Sequence, residues 1–197
     1  MDTRDTTDAE DRLEMSRLAA GDETALDRVM ERHARRLYHY LLRLLQNESA
    51  AEELAQETFV RVFRHAGRYD PGHSFSSWLY TIASNLVRDR ARRHGRHPEI
   101  SFEAEQNPEG SNLRELLPGN EASPADHAVT RERAEAVRRA VAQLPEEFRV
   151  PFILSEYEGL SHAEIAAVTG GTPKAVEMRL YRARESLRQS LAHLLES

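Results

Sequence analysis

The chain has 197 residues, of which 40% are hydrophobic and 30% charged, with a net charge of −6 at pH 7 and no cysteine. This length allows one domain or two small ones, and we expect two. The lack of cysteine excludes disulfides and thiolate metal ligands. There is no run of about 18 apolar residues, and the N-terminus is polar and acidic, which argues against a membrane span and a signal peptide. We therefore expect a cytoplasmic protein without membrane insertion.

The negative charge is concentrated in one segment of the chain. Residues 98–130 hold one Lys or Arg against seven Asp or Glu (1 − 7 = −6), whereas residues 1–97 and 131–197 are each neutral. Within the neutral parts, 88–97 and 174–188 each contain five Lys or Arg and at most two acidic residues. These two basic stretches are suited to phosphates, so the overall charge does not exclude nucleic-acid binding.

The N-terminal residues predict a polar tail and two helices. Residues 1–9 are expected to be disordered, and a short helix over 11–20 ends at a glycine. A long amphipathic helix follows over 23–47, because apolar side chains recur there every three or four residues. His33 and His39 are six residues apart and cannot share a helix face as zinc ligands would. We therefore expect surface histidines and no metal site.

The next helix combines an apolar stripe with an acidic and amide face. Ser49 and Glu52 have the spacing of a capping box, and the apolar stripe runs from Leu54 to Phe63. We call the polar side the docking face; it comprises Glu52, Glu53, Gln56 and Glu57. Such a face suits a basic, hydrogen-bonding protein partner and would be repelled by DNA phosphates. A merely solvated helix face is the alternative interpretation.

A Gly- and Pro-containing loop over 67–74 separates that helix from another one. The loop carries four side chains that can stack on or hydrogen-bond to an unstacked base: Arg68, Tyr69, Asp70 and His73. Trp78 belongs to the apolar stripe of the following helix and is expected in the core. Beyond this stripe the helix becomes basic, with polar side chains that can face a melted strand: Asn85, Arg88, Arg92 and Arg93. The alternative interpretation is that the arginines of this helix only make the protein more soluble.

The C-terminal residues predict a helix-turn-helix. Ser161 and Glu164 form a capping box, two glycines end the first helix, and Thr172 with Pro173 begins the second. Val176 starts an apolar stripe that packs inward. We call the opposite side the recognition face, because its side chains can read base edges in a major groove: Lys174, Glu177, Met178, Tyr181 and Arg182. Arg179, Arg184 and Arg188 flank this face and are expected on phosphates.

Together these elements predict an all-α protein of two small helical domains. We assign the tail and first short helix to 1–22, a first domain to 23–97, and a second domain with the helix-turn-helix to 125–197. Between them, 98–124 is rich in Pro, Gly, Asn, Ser and Glu, which is typical of a flexible acidic linker.

Two of these segments resemble a known family. Residues 51–63 and 75–89 strongly resemble region 2 of the extracytoplasmic-function (ECF) sigma factors in the sigma-70 family, and the helix-turn-helix with its lead-in 144–154 resembles region 4. The matches occur in the family's order and cover roughly 23–96 and 131–190. Ser49 and Glu53 depart from the family, which often has Asp at these positions.

The resemblance implies a function and a set of partners. It implies that the docking face binds the β′ clamp helices of core RNA polymerase, with further contacts to the β subunit. It implies promoter DNA as the second partner, with a minus-10 element held by the loop and the basic helix and a minus-35 element read by the last helix. The minus-35 residues are the recognition face together with Arg179 and Arg184, and the minus-10 residues are Arg68, Tyr69, Asp70, His73, Asn85, Arg88, Arg92 and Arg93. Many family members also have an anti-sigma factor.

Two other classes of function fit the sequence less well than a sigma factor does. A stand-alone helix-turn-helix regulator accounts for 131–197 but not for the motif over 51–89. An enzyme has little support, because the sequence shows no Gly-rich phosphate loop, no Ser/His/Asp arrangement and no ligand spacing of histidines. We expect no catalytic residue, cofactor or metal.

Overall fold

The computed structural model describes residues 3–96 and 127–192, with side chains over 6–93 and 134–192. In these ranges the regular elements are all helical, which confirms the all-α prediction. The helices are α1 (Thr3–Ala19), α2 (Thr24–Leu45), α3 (Glu48–Arg64), α4 (Phe75–Arg96), α5 (His127–Gln143), α6 (Glu146–Glu156), α7 (His162–Thr169) and α8 (Pro173–Ser190), with a short 3-10 turn at Ala66–Arg68. The predicted linker over 98–124 lies outside the described residues.

The first helix is longer than the sequence predicts. It begins at Thr3, so the prediction of disorder over 1–9 is wrong for the described part of that segment. The helix is tied to α2 by Asp11, whose buried carboxylate accepts a hydrogen bond from Arg32 and lies 2.7 Å from Nε2 of His33. His33 is itself buried and packs on Phe75, so the prediction of a surface position for this histidine is also wrong.

The start of α3 is capped by a residue other than the one predicted. Asn47 has an extended backbone, and its side chain accepts a hydrogen bond from the amide of Ala50 at 2.8 Å. Ser49 lies inside the first turn, so the predicted capping box there is wrong. An asparagine side chain at this position satisfies a free helix amide as well as serine does, and the helix therefore begins two residues earlier.

The helix-turn-helix has the local structure that its sequence predicts. Ser161 and Glu164 form a complete capping box, and Gly170 and Gly171 end α7 with positive φ angles of 73° and 138°. The hydroxyl of Thr172 caps α8 by accepting from the amide of Ala175 at 3.2 Å. The buried face of α8 consists of Val176, Leu180, Ala183 and Leu187, as expected.

The N-terminal part (residues 3–96) and the C-terminal part (residues 127–192) lie against each other. Helix α7 packs on α4, and α6 packs on α2. Buried apolar side chains from both parts form one continuous cluster. Among the described helices, none is long and apolar enough to cross a membrane. The contact between the two parts could not be predicted from the sequence.

Candidate nucleic-acid and protein-docking surfaces

The recognition face of α8 points away from the core. Tyr181 is 64% exposed and Met178 is 45% exposed, and Arg182 is exposed beside them. Such large side chains are placed in solvent because the opposite side of α8 already fills the core. Lys174 donates a 2.8 Å hydrogen bond to Glu177, whose pKa is lowered by this contact. The face therefore offers an aromatic ring, a thioether, a guanidinium and an ion pair on one exposed helix surface.

The flanking arginines of α8 occupy different environments. Arg184 donates to Glu156 of α6 at 2.6 Å on the exposed surface. Arg179 is half-buried and lines a groove of about 370 Å³ between the two parts, together with Arg88, Glu146 and Thr169. Arg179 is therefore less accessible to DNA in this arrangement than the recognition face is.

The loop before α4 is held by its own side chains. The carboxylate of Asp70 accepts from the amide of Gly72 at 2.9 Å and lies 3.1 Å from Nδ1 of His73, and the Gly72 and His73 contacts lower the pKa of Asp70. The Tyr69 hydroxyl donates to the carbonyl of His73 at 2.8 Å, and the ring of Tyr69 packs on Trp78 with centroids 5.4 Å apart. Arg68 and His73 remain exposed.

Those contacts change the interpretation of the loop. Because the Tyr69 ring is engaged with Trp78 and Phe75, it is not an open stacking platform in this structure. Tyr69 is turned inward, while Arg68, Asp70 and His73 are exposed and Asp70 and His73 contact each other. Trp78 is half-buried against the core, in agreement with its predicted role.

The basic half of α4 is exposed and partly paired. Asn85 is exposed, and Arg92 forms an ion pair with Asp89 one turn away. Arg93 donates to the Asp89 carbonyl at 3.4 Å. Arg88 instead reaches the C-terminal part, where its guanidinium donates to the Val168 carbonyl at 3.3 Å. The four predicted minus-10 residues of α4 therefore lie on the same helix but make different contacts.

The side of α3 that carries the docking face also exposes two apolar residues. Glu53 and Gln56 are exposed, Glu57 pairs with Arg61 at 2.8 Å, and Glu52 is half-buried. Glu53 also accepts from Arg90 of α4 at 2.9 Å. Beyond these residues, Val60 is 39% exposed and Phe63 is 42% exposed.

Val60 and Phe63 are functional candidates that the sequence analysis missed. Positions 53, 56, 60 and 63 follow helical spacing, so Glu53, Gln56 and the two apolar side chains lie along one side of α3. The sequence placed Phe63 in the buried stripe, and this prediction is wrong. This side of α3 therefore exposes two apolar side chains beside its hydrogen-bonding groups, which distinguishes it from a helix face that carries only solvated charges.

The described residues hold no group of His, Cys, Asp or Glu side chains that is arranged to bind a metal ion. His33, the one buried histidine among them, is engaged with Asp11 and Phe75.

Comparison with known families gives two matches, in the order expected from the sequence. Residues 29–97 match the family model of sigma-70 region 2, and residues 134–187 match that of sigma-70 region 4. The first range contains the docking face, the loop and all of α4. The second contains the helix-turn-helix.

Full-length relatives are also similar. The RNA polymerase sigma factor CarQ of Myxococcus xanthus is 36% identical, over 91% of this chain and 97% of that protein. The RNA polymerase sigma-H factor of Pseudomonas aeruginosa is 31% identical, over 96% of this chain and 97% of that protein. The ECF RNA polymerase sigma factor SigE of Mycolicibacterium smegmatis is 38% identical over 88% of this chain, which spans 65% of that protein.

Two solved structures share the fold. One is CnrH in complex with the cytosolic domain of CnrY, with a TM-score of 0.68 and 24% identity over 93% of this chain and 98% of that one. The other is the sigma factor RpoE with the anti-sigma factor NepR from Bartonella quintana, with a TM-score of 0.65 and 22% identity over 84% of this chain and 96% of that one. Because both sequence identities are below 25%, these two structures show a shared fold and nothing about function.

Proposed function

Because this chain belongs to the extracytoplasmic-function sigma factors of the sigma-70 family, we propose that its two helical parts divide the work of promoter selection. As a sigma factor, the protein binds core RNA polymerase and directs the start of transcription at specific promoters. The observation that carries this proposal is the presence of sigma-70 region 2 and region 4 in one chain, each with an exposed basic helix. The protein acts by binding polymerase and promoter DNA and by helping to separate the DNA strands, without a covalent step.

The recognition face is proposed to read the minus-35 element. Exposed Arg182 and Lys174 can donate to guanine edges, and the exposed Met178 and Tyr181 can contact thymine methyl groups. Arg184 and Arg188 lie toward the C-terminal half of α8 and are proposed to contact phosphates, which position the helix without reading sequence.

The loop and the basic half of α4 are proposed to hold the minus-10 element as a single strand. Arg68 and His73 are available to a flipped base, whereas Tyr69 and Asp70 keep the loop in shape. Arg92, Arg93 and Asn85 line the exposed side of α4, where they can neutralise and contact the strand's phosphates. Arg88 joins them once it is released from Val168.

The docking face is proposed to bind the β′ clamp helices of the polymerase. Glu53 and Gln56 supply hydrogen-bond acceptors for a basic surface, and Val60 with Phe63 supplies the apolar area that desolvates the contact. Since both partners, polymerase and promoter DNA, are inside the cell, we place the protein in the cytoplasm. An anti-sigma factor is a further proposed partner, because the similar RpoE structure contains one.

An electrophoretic binding experiment tests this function. A labelled promoter library is incubated with the protein alone, with core polymerase alone, and with both. A sigma factor gives sequence-selective complexes only when both proteins are present, because one small helix-turn-helix offers few contacts. Selective binding by the protein alone, unchanged by polymerase, would instead support a stand-alone helix-turn-helix regulator.

A further inference from the structure

The loop over 67–74, which we call the base-reading loop, is in contact with the first helix. Helix α1 packs on the 3-10 turn Ala66–Arg68, where the loop begins, and Ala66 of this turn is buried. Residues 70–73, by contrast, are all exposed. The loop is therefore fixed at its start by packing, whereas the shape of its exposed end depends on a few side-chain contacts.

One of those contacts is made by the hydroxyl of Tyr69, which links α1 to the exposed end of the loop. The hydroxyl donates to the His73 carbonyl at 2.8 Å. Burial raises the pKa of Tyr69, and the Arg12 guanidinium of α1 opposes this rise through its charge and a hydrogen bond to the hydroxyl. A phenol oxygen can donate one hydrogen bond and accept another. The Tyr69 hydroxyl can therefore accept from Arg12 while it donates to His73.

A second connection from α1 reaches the ring of the same tyrosine through the core. Asp11 lies 2.7 Å from Nε2 of His33, whose ring packs on Phe75 with centroids 5.0 Å apart. The ring of Phe75 in turn packs edge-on against Tyr69, with centroids 6.0 Å apart. Two consecutive residues of α1 thus act on one loop side chain, Asp11 through the ring of Tyr69 and Arg12 through its hydroxyl.

The order of the base-reading loop before DNA arrives affects how well it can select a base. A loop that becomes fixed only on binding loses conformational entropy at that moment, which lowers affinity, whereas a loop that is already fixed does not. Hydrogen bonds to a base edge are also directional and weaken steeply when the donor is misaligned. A shift of the backbone at His73 should therefore reduce base selectivity more than it reduces attraction to phosphates.

We propose that α1 supports the base-reading loop and that Arg12 is a positioning residue for minus-10 recognition, acting through the Tyr69 hydroxyl. The inference rests on the proposed function, because it assigns a role in reading a promoter element. Arg12 is exposed, so a direct contact with a DNA phosphate is the competing role. Only the positioning role requires the Tyr69 hydroxyl, and this difference allows the two roles to be separated.

The support given by α1 can be tested in the free protein through the fluorescence of Trp78. This residue is the only tryptophan of the chain, and its ring centroid lies 5.4 Å from that of Tyr69. Arg12→Ala is the test variant. Arg17→Ala is the matched control, because Arg17 is exposed on the same helix and pairs with Glu14. Acrylamide should quench Trp78 more strongly in the test variant than in the control, and equal quenching would overturn the support by Arg12.

A double-mutant cycle then separates positioning from direct contact with DNA. Core polymerase with the wild type, Arg12→Ala, Tyr69→Phe or the double variant is bound to a promoter selected from the library. Binding is also measured after each minus-10 base is changed in turn. Positioning predicts that each single variant lowers the preference for one minus-10 base about fivefold, and that the double variant loses no more than Tyr69→Phe alone.

The salt dependence of binding is the second readout of the cycle. A positioning residue contacts no phosphate, so Arg12→Ala should leave the salt slope unchanged. Additive losses in the double variant, together with a slope reduced by about one unit in Arg12→Ala, would assign Arg12 to a phosphate and overturn its positioning role.

The two measurements also distinguish this inference from the proposed function. Quenching of Trp78 in the free protein involves neither polymerase nor DNA. If Arg12→Ala increases quenching but the wild type supports no transcription, the sigma function fails and the minus-10 role of Arg12 fails with it. If the wild type transcribes from its promoter and Arg12→Ala keeps the full base preference, only the positioning role fails.

Discussion

Asp11 in α1 and His33 in α2 are joined by a buried contact of 2.7 Å between a carboxylate oxygen and Nε2. The same carboxylate accepts from Arg32 at 2.9 Å, and His33 packs against the ring of Phe75 at the start of α4. One side chain of α1 thereby fixes the position of α2, and through His33 that of α4. The first helix is part of the N-terminal fold rather than an appendage to it.

Asp11→Ala should therefore destabilise the protein, by about 3 kcal/mol, because it leaves Arg32 and His33 without their buried partner. Urea unfolding followed by circular dichroism measures the loss. Asp27→Ala is the control, since Asp27 is exposed on α2 and its removal should cost no more than about 0.5 kcal/mol. Equal stability of the two variants would contradict the assigned role of Asp11.

Asp8 and Asp22 should make opposite contributions to the pH dependence of folding stability. Burial raises the pKa of Asp8 above its ordinary 3.8, so its favourable contribution is lost as pH rises above that value. Hydrogen bonds, chiefly from the Thr24 hydroxyl, lower the pKa of Asp22, so its contribution is present above pH 3.8 and is lost as pH falls through the lower folded value.

The corresponding amide variants should differ in sign at pH 7. Asp8→Asn should be more stable than the wild type and Asp22→Asn less stable. The Asp8 difference should shrink as the pH falls through its raised folded pKa toward 3.8, and the Asp22 difference should shrink as the pH falls from 3.8 through its lowered folded pKa. Thermal unfolding midpoints measured between pH 3 and pH 7 would check this. A pH-independent difference in either variant would show that charge is not its cause.

Phe63→Ala should weaken binding to core polymerase by 1 kcal/mol or more, about fivefold in affinity, because an exposed aromatic ring beside polar acceptors is a candidate anchor. Folding stability should fall by less than for a fully buried aromatic side chain, since Phe63 is 42% exposed. Binding can be measured by fluorescence anisotropy of labelled protein. Leu13→Ala, which truncates another exposed apolar side chain but on α1, should bind normally. Equal losses in both variants would remove the special role of α3.

Arg182→Ala and Arg188→Ala should separate base reading from phosphate binding on α8. The first should cost about 1–3 kcal/mol on the cognate minus-35 sequence and relax selectivity at one base pair. The second should weaken all promoters alike and reduce the salt dependence by about one unit of slope. Binding of the polymerase complex to promoter variants at several salt concentrations measures both quantities. A selectivity change in Arg188→Ala alone would reverse the two assignments.

The parts of this structure that depend on neighbouring residues could be predicted from the sequence. The capping box at Ser161, the glycines after α7 and the start of α8 at Pro173 each act within a few residues, and the stripe beginning at Val176 fixes which face is exposed. The recognition face followed directly from these signals.

Features that depend on distant residues could not be predicted. Whether Phe63 or Val62 faces the core depends on how α3 is rotated against its neighbours, and both fit a broad apolar stripe. His33 looked like a surface residue because its partner, Asp11, lies on another helix. The burial of Glu158 depends on Tyr80 and Arg36, 78 and 122 positions away in the chain.

The most direct test of the central claim is in vitro transcription with purified core polymerase over a promoter library, with and without this protein. The account predicts that transcripts start at a specific subset of promoters only when the protein is present, and that these promoters share a minus-35 and a minus-10 sequence. The absence of any protein-dependent transcript from a library that a known sigma factor uses would contradict the account.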